Sequence, residues 1–316
     1  MLLRTSAFAA MLLATQLHAD VTLRYKSDVK LNPSLPPQMA QQMGKGLTSL
    51  PLENVLQLKN GKGYANMAML RSIVDFTKGE MKLIDPESRR YSVVTPDQFA
   101  AEMTQMLAGM PPEARQAMAS MKATVDTRQT GRSATILAIE ADEAEVVIAI
   151  TGRPVPNMPA GPMVRMVMQL WTAKQSEVLR VPALRELTGY NLWAYATMNP
   201  AGSIEKMFQQ MPGMGDSFGK FIKEMQTAKA ALLRSRTFMY MPAMAAMMKQ
   251  LPPDKNPFGA GFDAEAPLLE MTQELAELSS APVPDAIFEI PADYKAAPAS
   301  EMIQAMFEKQ KAAARQ

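Results

Sequence analysis

Two serines lie in sequence patterns that some hydrolases use to form a nucleophile. Residues 215–219 read Gly-Asp-Ser-Phe-Gly and match G-x-S-x-G, and Ser203 and Ser217 each precede a lysine by three positions. The first pattern needs a strand before the serine and a histidine that accepts its proton. The preceding residues have a helical pattern instead, and the only histidine is His18. The second pattern lacks its companion S-D-N and K-T-G segments. We therefore expect helix capping at these serines and no enzymatic activity, and a serine hydrolase is the least favoured alternative.

Methionine is the second residue type that could do chemistry. The chain has 29 methionines and no cysteine. Many of them fall into three groups in the sequence: Met163, Met166 and Met168; Met207, Met211 and Met214; and Met239, Met241, Met244, Met247 and Met248. Flexible thioethers fill irregular cores and also line surfaces that accept variable apolar ligands. They can also bind Cu(I). All three interpretations remain open at this point.

A ligand cavity is the interpretation that yields specific candidate residues. We expect it to be lined by apolar and aromatic side chains of three predicted strands and the segment that follows one of them. The candidates are Met166, Met168, Leu170, Trp171, Phe238, Met239, Tyr240, Met241, Met244 and Met271. A shift of one residue in a strand would move each side chain to the other face. We predict no catalytic residue, no bound metal and no cofactor.

The first 19 residues have the pattern of a cleavable signal peptide. Met1–Arg4 carries one positive charge, Thr5–Leu17 is apolar, and the small residue Ala19 precedes Asp20. This apolar run is too short to span a bilayer, which needs about 20 residues. We expect cleavage near Ala19, a periplasmic or secreted mature protein, and no stable membrane insertion.

The charge balance and the lack of cysteine exclude several classes of protein. The chain has 33 basic and 31 acidic residues and a formal net charge of +2. It has no basic run that could follow a phosphate backbone, so nucleic-acid binding is disfavoured. Without cysteine there are no disulfides and no lipid anchor on a cysteine. Stability must therefore come from an ordinary apolar core.

Alternating apolar and polar residues predict a sheet built from hairpins. Val21, Leu23 and Tyr25 fall on one face of the first strand, 20–27. Further strands are predicted within 54–94, 122–151, 163–172, 231–241 and 266–279. The sequence Asp85-Pro86-Glu87-Ser88 is typical of a turn inside a hairpin. In 163–172, Met166, Met168 and Leu170 share a face, and Trp171 faces the other way.

Helices are predicted between and after these hairpins. Thr95, Pro96 and Gln98 have the spacing of a capped helix start. A helical insert is expected at about 182–229 and a final helix at 299–314, whereas 32–50 is expected to be irregular. Because strands and helices do not alternate regularly, we predict an α+β fold with a curved antiparallel sheet covered by helices. Residues 20–298 would form one domain, and 299–316 a C-terminal helix and tail.

Several segments together resemble a known family. These are Gly63, the hairpin Met81-Lys82-Leu83-Ile84-Asp85-Pro86 to Arg90-Tyr91, the strand pair from Thr127 to Glu140, and the C-terminal segment from Leu278 to Lys295. They look like a group of exported bacterial proteins of unknown function that is similar to the lipoprotein-carrier (Lol carrier) fold. The resemblance implies an unclosed half-barrel of about eleven antiparallel strands. Helices would cover its concave face, and a hydrophobic cavity there could hold acyl chains.

The expected function is therefore non-enzymatic binding of a hydrophobic ligand in a half-barrel cavity. The partner would be a lipid, an acyl chain, an acylated protein or another hydrophobic small molecule. One alternative is a structural or regulatory envelope protein whose own helices fill the cavity. A further alternative is a Cu(I)-binding protein that uses methionine. The sequence predicts no oligomeric state.

Overall fold

The strands of the protein form one curved sheet that does not close into a barrel. The computed structural model describes residues 20–47, 52–67, 70–109, 111–113, 116, 120–152, 161–198, 231–250, 263 and 265–315. Twelve strands lie within these residues: β1 Val21–Leu31, β2 Glu53–Lys59, β3 Lys62–Met67, β4 Leu70–Asp75, β5 Glu80–Asp85, β6 Arg90–Val94, β7 Lys122–Ile136, β8 Ile139–Thr151, β9 Val164–Ala173, β10 Leu232–Tyr240, β11 Leu269–Ser279 and β12 Lys295–Ala296.

The order of strands in the sheet places β1 at its centre. The order is β12-β6-β5-β4-β3-β2-β1-β11-β10-β9-β8-β7. Strands β1 to β11 pair antiparallel with their neighbours, and the two-residue β12 pairs parallel with β6. The predicted α+β class and the unclosed antiparallel sheet are confirmed, and the eleven antiparallel strands match the expected number.

Six α-helices lie within the described residues. They are α1 Pro37–Leu47, α2 Pro96–Ala108, α3 Gln175–Arg180, α4 Pro182–Met198, α5 Pro242–Gln250 and α6 Ala299–Arg315. A short 3-10 helix spans Asp285–Phe288. The start of α2 has the predicted capping box, in which the Thr95 backbone N–H donates to Gln98 Oε1 at 2.9 Å and the Gln98 N–H donates to Thr95 Oγ1 at 3.3 Å.

Cross-strand register assigns each side chain to one of two faces of the sheet, because residues directly opposite each other share a face. We call the face that carries Val21, Leu23 and Leu31 the inner face. Through the pairs Leu23–Leu56, Leu56–Ala65 and Ala65–Ser72 it continues to β4. Through the pairs Leu31–Leu269, Leu269–Met239 and Met239–Met166 it continues to β9.

The described helices cover much of the inner face. Tyr190 of α4 lies over β3, where a Cβ atom on Gly63 would stand only 2.7 Å from the Tyr190 ring. Leu184 and Leu187 of the same helix are buried in the largest core cluster together with Leu23 of β1. A second cluster packs α2 and α6 against β4, β5 and β6, with Met302 of α6 almost fully buried.

The opposite face is covered at one end by the C-terminal segment. Val283 and Phe288 are buried against Ile73 and Ile84, which lie on the outer side of β4 and β5. Lys59 fixes this segment, since its Nζ donates to the Val283 carbonyl at 2.7 Å and pairs with Asp285 at 3.0 Å. The Asp20 carboxylate accepts the Val283 N–H at 2.7 Å, so the first described residue is tied to the segment that follows β11.

The expectations for two helical regions had different outcomes. Residues 32–50 were expected to be irregular, but Pro37–Leu47 forms helix α1, with Pro37 at the first helical position, where the missing N–H has no cost. The helical insert at 182–229 begins with α4, and residues 199–230 lie outside the described part of the chain.

Candidate ligand-binding surface

An apolar wall lies on the inner face of four neighbouring strands. Val146, Ile148 and Leu170 are buried, and Val146 has no exposed surface. Other apolar residues of β7 to β10 pack against these three: Val125, Ile150, Met166, Met168 and Leu232. We call these eight residues the inner wall. Every member belongs to a strand, so the sheet itself builds this surface.

Strand register explains why these side chains meet. Val146 stands opposite Met168, and Ile148 stands opposite Met166 and Val125. Branched side chains are stiff and suit a pleated surface, whereas methionine has three rotatable bonds and adapts to irregular shapes. The inner wall therefore combines a rigid β8 with an adaptable β9.

The wall continues towards β10 into a group rich in methionine. Met166 of β9 pairs with Met239 of β10, and both lie on the inner face. Met239 packs around the buried residues Leu35 and Leu268, together with Leu31, Ala40 and four more methionines: Met39, Met43, Met241 and Met247. We call the five methionines Met39, Met43, Met239, Met241 and Met247 the methionine cluster. Sequence reasoning did not select Met39 and Met43, although their spacing of four residues was a signal for a helix face.

The structure separates the predicted cavity residues into two groups. On the inner side are Met166, Met168 and Leu170 of the wall, Met239 and Met241 of the methionine cluster, and Met271, which stands opposite Val29 and Thr237. Register places Phe238 and Tyr240 on the other side of β10. Trp171 alternates with Leu170 along β9, but beside the register shift in β10 it packs into the largest core cluster with Leu233. Met244 lies in α5, and its side chain is outside the described part. The ten residues therefore do not form a single site, and ligand binding at the inner six stays a prediction.

Trp171 differs from the other two aromatic candidates in its burial. It is only 7 % exposed and belongs to the largest core cluster, together with Leu233 and residues of α3 and α4. It lies directly beside the register shift between Leu232 and Arg234 of β10. Phe238 and Tyr240 are half-buried. Trp171 is therefore a core residue of the fold and does not line the inner wall.

An arginine guanidinium stacks on the ring of each of the three aromatic residues. The guanidinium carbons of Arg234, Arg236 and Arg165 lie 5.3, 5.4 and 5.5 Å from the ring centroids of Trp171, Phe238 and Tyr240, respectively. Such stacking is a cation–π contact. The Nε of Arg234 also pairs with Glu274 at 2.6 Å, and Arg236 pairs with Glu270 at 2.8 Å. This side of β10 and β11 is therefore charged.

A small polar cleft lies on the same outer face, near the β7 edge. Its volume is about 390 Å³, and its lining consists of Arg128, Gln129, Thr130, Arg132, Glu145 and Gln169. Arg128 pairs with Glu145 at 2.7 Å, and Arg132 pairs with the buried Glu143. Each of the two carboxylates is thus paired with an arginine of β7.

Neither a hard-metal site nor a membrane helix is found where the structure describes the chain. No three His, Cys, Asp or Glu side chains come together there. None of the helices in the described ranges combines the length and the apolar character needed to cross a bilayer. Ser203 and Ser217, the two serines in hydrolase-like patterns, lie outside the described residues.

Comparison with known proteins leaves the family open. No protein-family model matches the chain, and no curated protein matches its sequence. Its function must therefore be inferred from the surface itself.

Proposed function

We propose that the protein is a non-enzymatic binding protein, exported to the periplasm or secreted, that holds a hydrophobic ligand against its inner wall. The ligand would be a lipid, an acyl chain, an acylated protein or another apolar molecule. The observation that supports this most strongly is that four strands of an open sheet carry Val, Ile, Leu and Met side chains that pack into one contiguous apolar cluster.

The energetics of such a surface favour apolar ligands of variable shape. Removing apolar area from water contributes about 25 cal/mol per Å² before the cost of ordering the ligand is subtracted. The thioethers of Met166 and Met168 can follow an irregular ligand surface without strain in the sheet. The predicted signal peptide, residues 1–19, supports export.

The direct test is native mass spectrometry of the protein after expression with its N-terminal segment intact and export to the periplasm. Solvent extraction and lipid analysis should then recover a lipid or fatty acid in stoichiometric amount. A clean unliganded mass, with no added hydrophobic compound raising the melting temperature, would contradict the proposal. That outcome would favour an envelope protein whose own helices fill the space.

A pair of variants on β9 locates the binding surface. Met168 lies on the inner wall, and its neighbour Gln169 faces the opposite side beside Glu145. We expect Met168→Trp to reduce the co-purified ligand to a small fraction of the wild-type amount, because the indole occupies the space of the ligand. Gln169→Trp is the matched control and should retain the ligand. Equal retention by both variants would place the ligand elsewhere.

A further inference from the structure

The methionines of this protein are not spread evenly through its apolar clusters. The largest cluster, which joins α3 and α4 to the centre of the sheet, contains no methionine among its described members. The cluster built on Leu35 and Leu268 has nine members, of which five are methionines. If methionine served only as a filler, the largest core would be expected to use it as well. Methionines also occur in the cluster under α2 and α6 and on the inner wall, but no other described cluster contains as many as five. This high share of thioethers favours a role beyond packing.

The methionine cluster brings together three separate parts of the chain. Met39 and Met43 project from one face of α1, and Met239 lies near the end of β10. Met241 directly precedes α5, and Met247 lies within that helix. All five side chains are half-buried. They are therefore held by the fold and still accessible to a small ion.

Hydrogen bonds hold these parts in fixed relation to one another. The Leu268 N–H donates to the Met239 carbonyl at 2.7 Å, and the Asn32 N–H donates to the Leu268 carbonyl at 3.0 Å. Asn32 is buried, and its Nδ2 donates to the Asp263 carbonyl at 2.9 Å. Its Oδ1 accepts the Ser34 N–H at 2.9 Å. The segment that leads into α1 is thereby fixed to β10 and β11.

From this arrangement we infer that the methionine cluster is a binding site for a soft monovalent cation, Cu(I) or its analogue Ag(I). Thioether sulfur is a soft ligand that selects Cu(I) over hard divalent ions. The chain has no cysteine, and its one histidine is His18. Within the described residues, thioethers are therefore the only soft ligands. The methionine cluster shares no residue with the inner wall, although Met239 and Met241 are also predicted cavity residues, so different variants test this inference and the proposed function.

The test titrates the purified protein with Ag(I), and separately with Cu(I) under ascorbate against a chromophoric Cu(I) chelator. Native mass spectrometry should show one bound ion. The triple variant Met39→Leu, Met43→Leu, Met247→Leu should abolish binding, since leucine preserves volume and removes sulfur. The matched control is Met81→Leu, Met302→Leu, Met306→Leu in the cluster beneath α2 and α6, which should bind as the wild type does.

The pH dependence of binding distinguishes a thioether site from a site built on carboxylates. Thioethers bind no proton at ordinary pH, so the affinity for Cu(I) or Ag(I) should be the same at pH 5 and pH 8. A site whose ligands must lose a proton would bind the ion more weakly at pH 5. If the triple variant does not fold, Met43→Leu alone should lower the affinity about 10–100-fold or more. Failure of the wild type to bind either ion, or equal binding by the wild type and the cluster variants, would overturn the inference.

Discussion

At the scale of single residues, buried carboxylates organise the hairpin turns of β4–β5 and β5–β6. Burial by itself would raise the pKa of Asp85, but donation from the Ser88 hydroxyl and from the Ser88 and Glu87 N–H groups, together with the charge of Lys309, outweighs it and lowers this pKa. Burial would also raise the pKa of Asp75. Hydrogen bonds donated by Thr77 and Lys78 outweigh this effect, and the pKa of Asp75 is lowered. Each turn is therefore stabilised by the ionised form of its aspartate.

Asp85→Asn should show this contribution directly. A lowered pKa in the folded state stabilises the protein above the unfolded pKa of about 4, and this stabilisation disappears as the pH falls through the folded value. At pH 7 the variant should lose about 1–3 kcal/mol of unfolding free energy, because Ser88 and Lys309 lose a charged partner. The difference from wild type should shrink between pH 4 and pH 2. Urea unfolding across this range measures both effects.

Asp28→Asn is the control for this prediction. Asp28 is exposed and pairs only with the exposed Lys30 among the described residues. Its replacement should change stability by less than about 0.5 kcal/mol. A difference between Asp85→Asn and wild type that stays constant from pH 7 to pH 2 would contradict the role of the Asp85 charge.

Local sequence was sufficient to predict several of these residue-level features. The proline turn after Asp85 and the pairing of Thr95 with Gln98 follow from residue types at fixed spacing, and both are confirmed. The burial of Asp85 could not be predicted, because it depends on α6, which brings Lys309 to within 3.8 Å of the carboxylate.

At the scale of elements, α4 depends on a close approach to the sheet at Gly63. Atoms of the Tyr190 ring lie 2.7 and 2.8 Å from where a Cβ on Gly63 would stand, and Leu58 Cδ2 lies at 3.3 Å. The same ring makes an edge contact with Phe76, with centroids 5.7 Å apart. The helix can approach this closely only because residue 63 has no side chain.

Gly63→Ala should therefore destabilise the protein by about 1–3 kcal/mol, since the Tyr190 ring must move out of its packed position. Gly189→Ala is a matched control in α4 itself, where a Cβ would meet no atom within 4 Å. That change should stabilise the protein by up to about 1 kcal/mol through helix propensity. Chemical denaturation measures both variants. Equal effects of the two substitutions would show that the close approach is unimportant.

Sequence patterns were insufficient to predict which sheet faces the helices cover and where the strand register shifts. Alternation correctly placed Leu170 and Trp171 on opposite faces of β9, but it did not show which side chains the helices cover. The register shifts between Leu232 and Arg234 and between Arg24 and Tyr25 interrupt the alternation in a way that no local pattern indicated. The aromatic candidates on β10 lie outside the methionine cluster, although they neighbour it in sequence.

At the scale of the whole molecule, the two halves of the sheet meet at β1 and β11. Strands β2 to β6 follow each other as a meander on one side, and β10 to β7 lie on the other. Tyr25 of β1 reaches β10, where its hydroxyl donates to the Leu232 carbonyl at 2.9 Å. Burial, with the nearby Tyr190 hydroxyl, strongly raises the pKa of Tyr25, so the neutral phenol is the form that the fold stabilises.

The sequence could not predict the pairing of β1 with β11, because partners such as Leu23 and Leu278 are far apart in the chain.

A truncation in β1 should therefore loosen both halves of the sheet together. Leu23 is fully buried and packs in the central cluster with α4. Leu23→Ala should lower the unfolding free energy by about 2–5 kcal/mol through lost burial and the cavity left behind. Hydrogen exchange should accelerate in β2 to β6 and in β8 to β10 alike, because each half depends on the same central strands. Leu179→Ala, on an exposed side chain of α3, should leave both regions unchanged. Faster exchange on only one side of β1 would mean that the half-sheets are separate cooperative units, and that the inner wall can open without disturbing β2 to β6.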